Sequence, residues 1–513
     1  MGARRRPADA HLVRAALPTL TVAEKRPPRL KPCLALLSAL LVCLGTLRAQ
    51  DALSLYHWEA VPKRLMLNPA APVSHRAWLS LPGVGHFDQA ARMPWGVTEV
   101  LDLRRREAAA VLGEAATGAY DDVRVDVPTA IDGLRRGGQS RVTTRVNLLS
   151  AGVRTAAGTF SLNLDQQVDA YAAVGPSPLE GLYYGEAFVL SEGVDVSGAA
   201  YDGSVRTALS LGFQRAVKNT PWRLGANVKL VKTQAHARLR SLDVGVAREA
   251  DAVAVTFTGA QQVGGWADLN ERRTAFDALA PSRLLEGGNL GLGFDLGVYY
   301  AASERLTLSA SLTDVGFQRL GWEAAEYGFR NTLRVGDSEP LSALDVVTVA
   351  EFSAEADELS KDGRDTLTNR DAYTRPLPGA SYLGAEYRLG DRHGLGLVIR
   401  NSLRGGRLQT ASALSLNLRP SRLLEANASV SYSNVGGLGF GLGTSLQLGP
   451  VQVYAGSDNV LGLVDALGAR RASVVAGLTL LLPDKPAVSG PGVMKPRRAG
   501  GGRGKGTRCY RFR

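Results

Sequence analysis

Residues Leu423 to Leu448 read LLEANASVSYSNVGGLGFGLGTSLQL. Leu424, Ala426, Ala428, Val430 and Tyr432 share one parity, and Glu425, Asn427, Ser429, Ser431 and Ser433 the other. After an Asn434-Val435-Gly436-Gly437 turn the alternation resumes, with Leu438, Phe440, Leu442, Thr444, Leu446 and Leu448 against Gly437, Gly439, Gly441, Gly443, Ser445 and Gln447. Successive side chains of a strand point to opposite faces, so the stretch is a hairpin with one apolar face and one polar or very small one. Soluble strands usually run about five or six residues, whereas each arm here runs about eleven, close to the roughly 9–11 tilted residues that cross a bilayer core. Length favours a transmembrane barrel over a long soluble hairpin, and recurrence of the pattern decides between them.

The pattern recurs through the body of the chain. Thr144, Val146 and Leu148 open one strand, and after a turn at Ala156-Ala157-Gly158, Phe160, Leu162 and Leu164 alternate with Ser161, Asn163 and Asp165. Val205 to Phe213 and Trp222 to Leu230 alternate on either side of Lys218-Asn219-Thr220-Pro221. Leu290 to Tyr300 and Leu306 to Leu312 follow, then 383–389, 395–399, 408–418, the hairpin above, 451–455 and 474–482. Repetition on this scale predicts an all-β fold, a transmembrane outer-membrane β-barrel. No run of eighteen apolar residues offers a spanning helix, and a chain crossing lipid without one must close its strands into a barrel to pair every backbone group.

Loop lengths supply an independent test. Short turns near 156–158, 218–221, 301–304, 390–393, 419–422 and 449–450 alternate with mostly longer connections, as periplasmic turns alternate with external loops in outer-membrane barrels. Phe213, Trp222, Tyr300 and Tyr387 flank short turns, where a bilayer interface attracts aromatic side chains. If the short turns are periplasmic, the strand beginning at Val142 descends, so an ascending strand precedes it; Trp95–Leu103 and Arg76–Val84 are the candidates. The wall then has fourteen antiparallel strands, with the weaker pair Leu239–Ala247 and Ala252–Thr258 in an external loop, or sixteen if that pair joins the wall.

Charge and leader composition set the compartment. The net charge of +12 is concentrated at the two ends, +7 over residues 1–49 and +8 over 483–513, leaving −3 for residues 50–482. A phosphate-binding stripe would need its basic residues in the folded body, so nucleic acid is not an expected partner. After Arg29-Leu30-Lys31, an apolar run from Cys33 to Leu47 ends in Arg48-Ala49, the layout of a secretory signal peptide cleaved after Ala49. Cys33 and Cys43 lie in that leader, and Cys509 alone can form neither an internal disulfide nor a cysteine metal cluster. Residues 1–49 are thus extension plus signal peptide, 50–141 a hatch or plug segment that could include the first strand, 142–482 the barrel, and 483–513 a basic tail of disordered composition. Arg104–Ala116 reads as a short helix from its alanines and charges.

Catalytic patterns are absent: no His-Glu-x-x-His, Gly-x-Ser-x-Gly or Cys-x-x-Cys occurs, and Gly504-Lys505 is followed by Gly506 where a phosphate loop needs Ser or Thr. The expectation is a non-enzyme without cofactor or metal. His57, His75, His86, His236 and His393 show no ligand spacing and read mostly as polar surface. Period two makes the glycine row at Gly437 to Gly443 a strand face, with Gly439 and Gly441 expected to touch the plug or leave room for a ligand. On parity, Arg145, Arg206, Arg223, Lys229, Arg388 and Arg400 line the lumen with Asp165, Asp295, Glu386 and Glu425. Such mixed charge suits compensating pairs around a plug, or a solute path.

Three stretches carry a resemblance: Leu67-Asn68-Pro69-Ala70 with Leu81-Pro82-Gly83, the hairpin from Tyr201 to Val231, and Gly449-Pro450-Val451-Gln452-Val453-Tyr454-Ala455-Gly456-Ser457-Asp458-Asn459. Together they resemble a Bacteroidetes-type family of outer-membrane β-barrel proteins of unassigned function. More distantly the chain is similar to FadL-like long-chain fatty-acid transporters and to PorV-type proteins of type IX secretion. The resemblance implies that Asn68, Pro69 and Ala70 belong to an N-terminal hatch; lipid-binding residues of the transporters have no counterparts to place. It also implies integral outer-membrane residence and passage or binding of a hydrophobic or amphipathic solute. The alternative is a non-transporting envelope protein that assists a secretion or surface-attachment complex through a protein partner.

Overall fold

The computed structural model describes residues 53–102, 124–249, 252–265, 287–335, 341–343, 364–421, 423–434, 436–465 and 468–482. The expected leader and its cleavage point, the Arg104–Ala116 helix and the basic tail lie outside them. Fourteen strands form the wall, numbered here in chain order. β1 runs in two pieces, Ala77–Ser80 and Phe87–Arg92; then come β2 (Gln139–Arg154), β3 (Thr159–Ala173), β4 (Ala200–Ala216), β5 (Trp222–Arg248), β6 (Leu290–Ala301) and β7 (Leu306–Leu320). β8 (Ala380–Arg388), β9 (His393–Arg404), β10 (Arg407–Leu418), β11 (Leu424–Ser433), β12 (Gly437–Leu448), β13 (Val451–Ser457) and β14 (Arg471–Leu482) complete it.

Every neighbour pair is antiparallel, and both pieces of β1 bond to β2 on one side and β14 on the other, so the sheet closes. The hairpin that decided the fold pairs Leu424 with Leu446 and Ser433 with Gly437, in the expected parity. Fourteen strands is therefore the observed number. Of the two candidates for the first strand, Arg76–Val84 overlaps β1, while Trp95–Leu103 contributes a helical turn at Val97–Val100 instead. The interruption at Leu81–His86 explains why β1 lacks a long alternating signature.

β5 is twice as long as the wall requires. Its first part pairs with β6 from Trp222 to Lys232, while from His236 it pairs with a strand at Val253–Gly264 that never enters the wall. That strand continues to Ala325–Val335 and then Arg364–Asn369, making an external sheet. Two helices, Ser177–Tyr184 and Glu186–Glu192, cover it with Val189 against Val253, Val255, Leu333 and Val335.

Outward side chains form an apolar belt: Leu211, Leu224, Val228, Leu292, Phe294, Leu296, Leu383 and Leu442 are among the exposed ones. So much exposed hydrocarbon on one closed surface is the signature of contact with lipid. Near the short turns, Phe160 packs on Phe213 and Trp222 on Tyr300, with ring centroids 5.0 and 4.5 Å apart. Among the described residues no helix is long and apolar enough to cross a membrane.

Candidate functional site

The lumen is filled in its short-turn half by residues 53–76, built on 3-10 turns at Leu53–His57 and Pro62–Met66. Glycines on the wall are the sockets into which this hatch fits. A Cβ at Gly297 would meet Asn68 Oδ1, and one at Gly225 would meet the Pro69 carbonyl. Tyr56 lies against Gly384, His57 against Gly396, and Trp58 against both Gly443 and Gly456. Asn68 holds its own turn together: Oδ1 accepts from the Ala70 amide at 3.0 Å, while Nδ2 donates to Tyr56 Oη at 3.0 Å and to the Ala310 carbonyl at 3.2 Å. The Asn68-Pro69-Ala70 segment is therefore buried and pressed onto β5 and β6.

The glycine row needs a correction at two positions. Gly439 faces the Arg471 guanidinium, 2.5 Å from where a Cβ would stand, and Gly441 faces the Ser457 carbonyl and Asp458 Cα. Among the described residues, it is at Gly443 that an added Cβ would meet the hatch, at Trp58. The reason is that β13 stops at Ser457, and the segment after it fills the upper wall: the Val460 amide donates to the Phe440 carbonyl at 2.8 Å, and Asn459 Nδ2 to the Arg471 carbonyl at 2.7 Å. Gly439 and Gly441 make room for that seam.

Polar anchors tie the hatch to the wall. The Asp458 carboxylate accepts from the Leu53 and Ser54 amides at 2.6 and 3.2 Å, and Glu425 from the Glu59 and Ala60 amides at 3.3 and 2.9 Å. Arg419 bridges Glu59 and Glu425 at 2.7 and 3.3 Å. Burial works against the Glu59 charge, but Arg419, a hydrogen bond with Glu386 and the nearby Arg64 hold its carboxyl well below the usual carboxylate range. Lys63 reaches Asp165 at 3.2 Å and Asn163 at 3.3 Å, closing the top of the plug. The histidines also need correction: His57, His75, His86 and His236 are all buried. Their lack of ligand spacing was visible, but not that His57 packs against Gly396 of the wall, His75 against the Ala60 carbonyl and His86 against the Tyr454 hydroxyl. Burial pushes the His57 imidazole down to about 4.

Above the hatch residues Met66 and Leu67 lies a cavity of about 110 Å³. Six of the residues expected to line the lumen meet there: Arg145, Asp165, Arg206, Lys229, Asp295 and Arg400. Lys229 contacts Asp295 and Asp314, both at 2.7 Å. Arg141 and Arg404 each lie 3.3 Å from Asp169, and Arg206 donates twice to Gln167 Oε1 at 3.0 and 2.9 Å. Arg400 Nε donates to Tyr382 Oη at 3.2 Å. The other expected lining residues sit elsewhere: Glu386, Arg388 and Glu425 around Glu59, Arg223 near Arg64 and Arg154, and Gly439 and Gly441 at the seam.

Sequence parity missed Gln167, Asp169, Arg404 and Asp314. The first three continue alternations already visible in their strands, so following those strands further would have found them. Asp314 sits at φ 54° beyond a register shift at Phe294/Leu296, where alternation loses its meaning. Among the described residues no group of three or more His, Cys, Asp or Glu is arranged to hold a metal.

Comparison with known proteins bears on architecture and family. No curated protein matches the chain. Similar solved structures include a TodX monoaromatic hydrocarbon channel mutant (10% identity, TM-score 0.41, covering 86% of this chain and 96% of that one). A Pseudomonas aeruginosa FadL homologue gives 14% identity and a TM-score of 0.39, covering 85% and 99%. The Ralstonia pickettii toluene transporter TbuX gives 10% and 0.37, covering 83% and 94%. At such identities and superpositions nothing about their solutes passes to this chain. A sequence family does match, over residues 69–458, from within the hatch to the end of β13, and by that match the chain belongs to the Family of unknown function (DUF5723).

Proposed function

We propose that this chain is an integral outer-membrane barrel that binds and passes an amphipathic solute, received in the lumen cavity above the hatch. The observation that carries the reading is a charged cavity seated directly over a plug inside a lipid-facing wall. A purely hydrocarbon solute lodged there would strip water from buried guanidinium and carboxylate groups without replacing their hydrogen bonds, at a cost of several kcal/mol. A solute with a polar head avoids that cost. Passage then requires the hatch to shift, because it fills the lumen below.

The closeness of the hatch to its glycine sockets favours a second reading, a non-transporting envelope protein that assists a secretion or surface-attachment complex. Purified barrel in liposomes separates the two. Flux of an amphipathic dye, or an amphipath co-extracted with the protein and identified by mass spectrometry, supports the first. A silent barrel that co-purifies with a stable envelope partner supports the second and overturns the first.

A further inference from the structure

The geometry points to an oxyanion site in the lumen cavity, centred on Arg145 and Arg206, that takes the carboxylate, phosphate or sulfate group of its ligand. This inference rests on reading the cavity as a solute site and adds the chemistry of the solute's head.

The cavity's carboxylates are already committed. Asp169 is shared by two arginines, Asp295 and Asp314 both serve Lys229, and Asp165 is held by Lys63 from the hatch below. Asp88 is also engaged. Counting Lys63, seven cations meet five carboxylates, leaving a positive surplus. Arg206 is 5% exposed, bonds only a neutral amide through Nε and Nη2, and has Nη1 buried without a hydrogen-bond partner. Arg145 lines the same cavity from β2 with no hydrogen bond or close ion pair among the described residues, its charge attracted only at longer range by Asp314, Asp165 and Asp88. Arg400 lines the same cavity, its guanidinium 5.9 Å over the Tyr382 ring.

A buried guanidinium with an unused N–H is costly unless something accepts from it. Water supplies acceptors but no charge, whereas an oxyanion supplies both and matches the planar fork of arginine. The cavity is several times the roughly 10–15 Å³ that one water needs, so a small oxyanion group fits. The positive surplus also draws anions in from the long-loop end.

The test uses the full barrel in an uncharged detergent, titrated by calorimetry with inorganic phosphate, octyl phosphate and octanol. Octyl phosphate is expected to bind at least about tenfold more tightly than octanol, with Arg145→Gln and Arg206→Gln each weakening it by about tenfold and leaving octanol unchanged. Arg145→Lys, which keeps the charge, recovers part of the affinity, and heat-modifiable migration on gels confirms that each variant is folded. Inorganic phosphate binding as tightly as octyl phosphate, with both tighter than octanol, supports the site and assigns it to a free anion. Equal affinity for octyl phosphate and octanol, or unchanged affinity in both glutamine variants, overturns the inference. Flux of an uncharged amphipath with no preference for anions would sink the oxyanion site alone. Anion binding with no flux of any solute would sink the transport reading alone.

Discussion

Trp58 is the side chain on which the plug turns, since its indole enters the wall where Gly443 and Gly456 offer no side chain and meets Tyr454 edge-on. A methyl at 443 must displace a ring held on two sides, whereas one at 439 meets the far end of the flexible Arg471 side chain, whose guanidinium is hydrogen-bonded to Ser431 and the Asp458 carbonyl. Gly443→Ala is therefore expected to destabilise the docked hatch by about 1–3 kcal/mol and Gly439→Ala by less. Trp58→Ala should absorb most of the Gly443→Ala effect, a coupling that thermal melts of the four proteins in micelles would reveal; additive melts would remove the contact from the account. His57, beside it, makes hatch docking sensitive to pH. Its value is about 4 in the docked state against an ordinary 6.5, because burial, aided by Arg64, outweighs the Leu397 backbone hydrogen bond and Glu59. Between those values the released hatch takes up a proton that the docked one refuses, so docking weakens as pH falls from 6.5 towards 4. Trypsin cleavage at Lys63 and Arg64, both buried when docked, should speed up at pH 4.5 relative to a pH-matched unstructured control substrate. His57→Gln should reduce that dependence, leaving the part that His75, also pushed down by burial in the hatch, contributes.

At the scale of elements, the Asn68-Pro69-Ala70 turn and β6 behave as bolt and socket. Gly297→Val places two methyls where Asn68 Oδ1 stands and cannot be relieved by rotation of a long side chain. The outcome expected is a barrel that still closes but whose hatch is loosened, read as larger single-channel conductance in planar bilayers than the parent. An unchanged conductance together with unchanged protease protection at Lys63 would show that the turn tolerates the intrusion. Elements also explain what alternation could and could not reveal. The glycines of β12 announced a small-residue face, but their partners depend on where β13 ends, which no local pattern states. β1 was nearly invisible because Leu81–His86 breaks it, and β5 looked like two elements because its upper half pairs outside the wall. Charged lining residues were readable wherever parity held, and the cavity's Asp314 was not, because a left-handed residue beyond a bulge resets the count.

For the whole molecule, closure follows from one alternation repeated around the wall, and the strand number was readable because loop length alternates with the same period as strand direction. That reading commits every outward side chain to a depth in lipid, which makes it testable away from the lumen. Leu296 lies mid-strand in β6 and is 57% exposed, between Asp295 and Gly297, which point inward. Leu482 is 60% exposed at the end of β14, opposite Ala77 where β1 starts, near the short turns. Arginine at 296 forces a charge into the middle of the hydrocarbon, whereas at 482 it can reach headgroups and water. Leu296→Arg is expected to cost about 2–4 kcal/mol and Leu482→Arg about 0–1 kcal/mol, measured by guanidinium unfolding in large unilamellar vesicles. In a neutral detergent micelle, which adapts around the charge, the gap between the two variants should narrow. A barrel that faced water would show two exposed leucines with the same small cost, so equal values in vesicles would refute the lipid-facing belt and with it the outer-membrane placement.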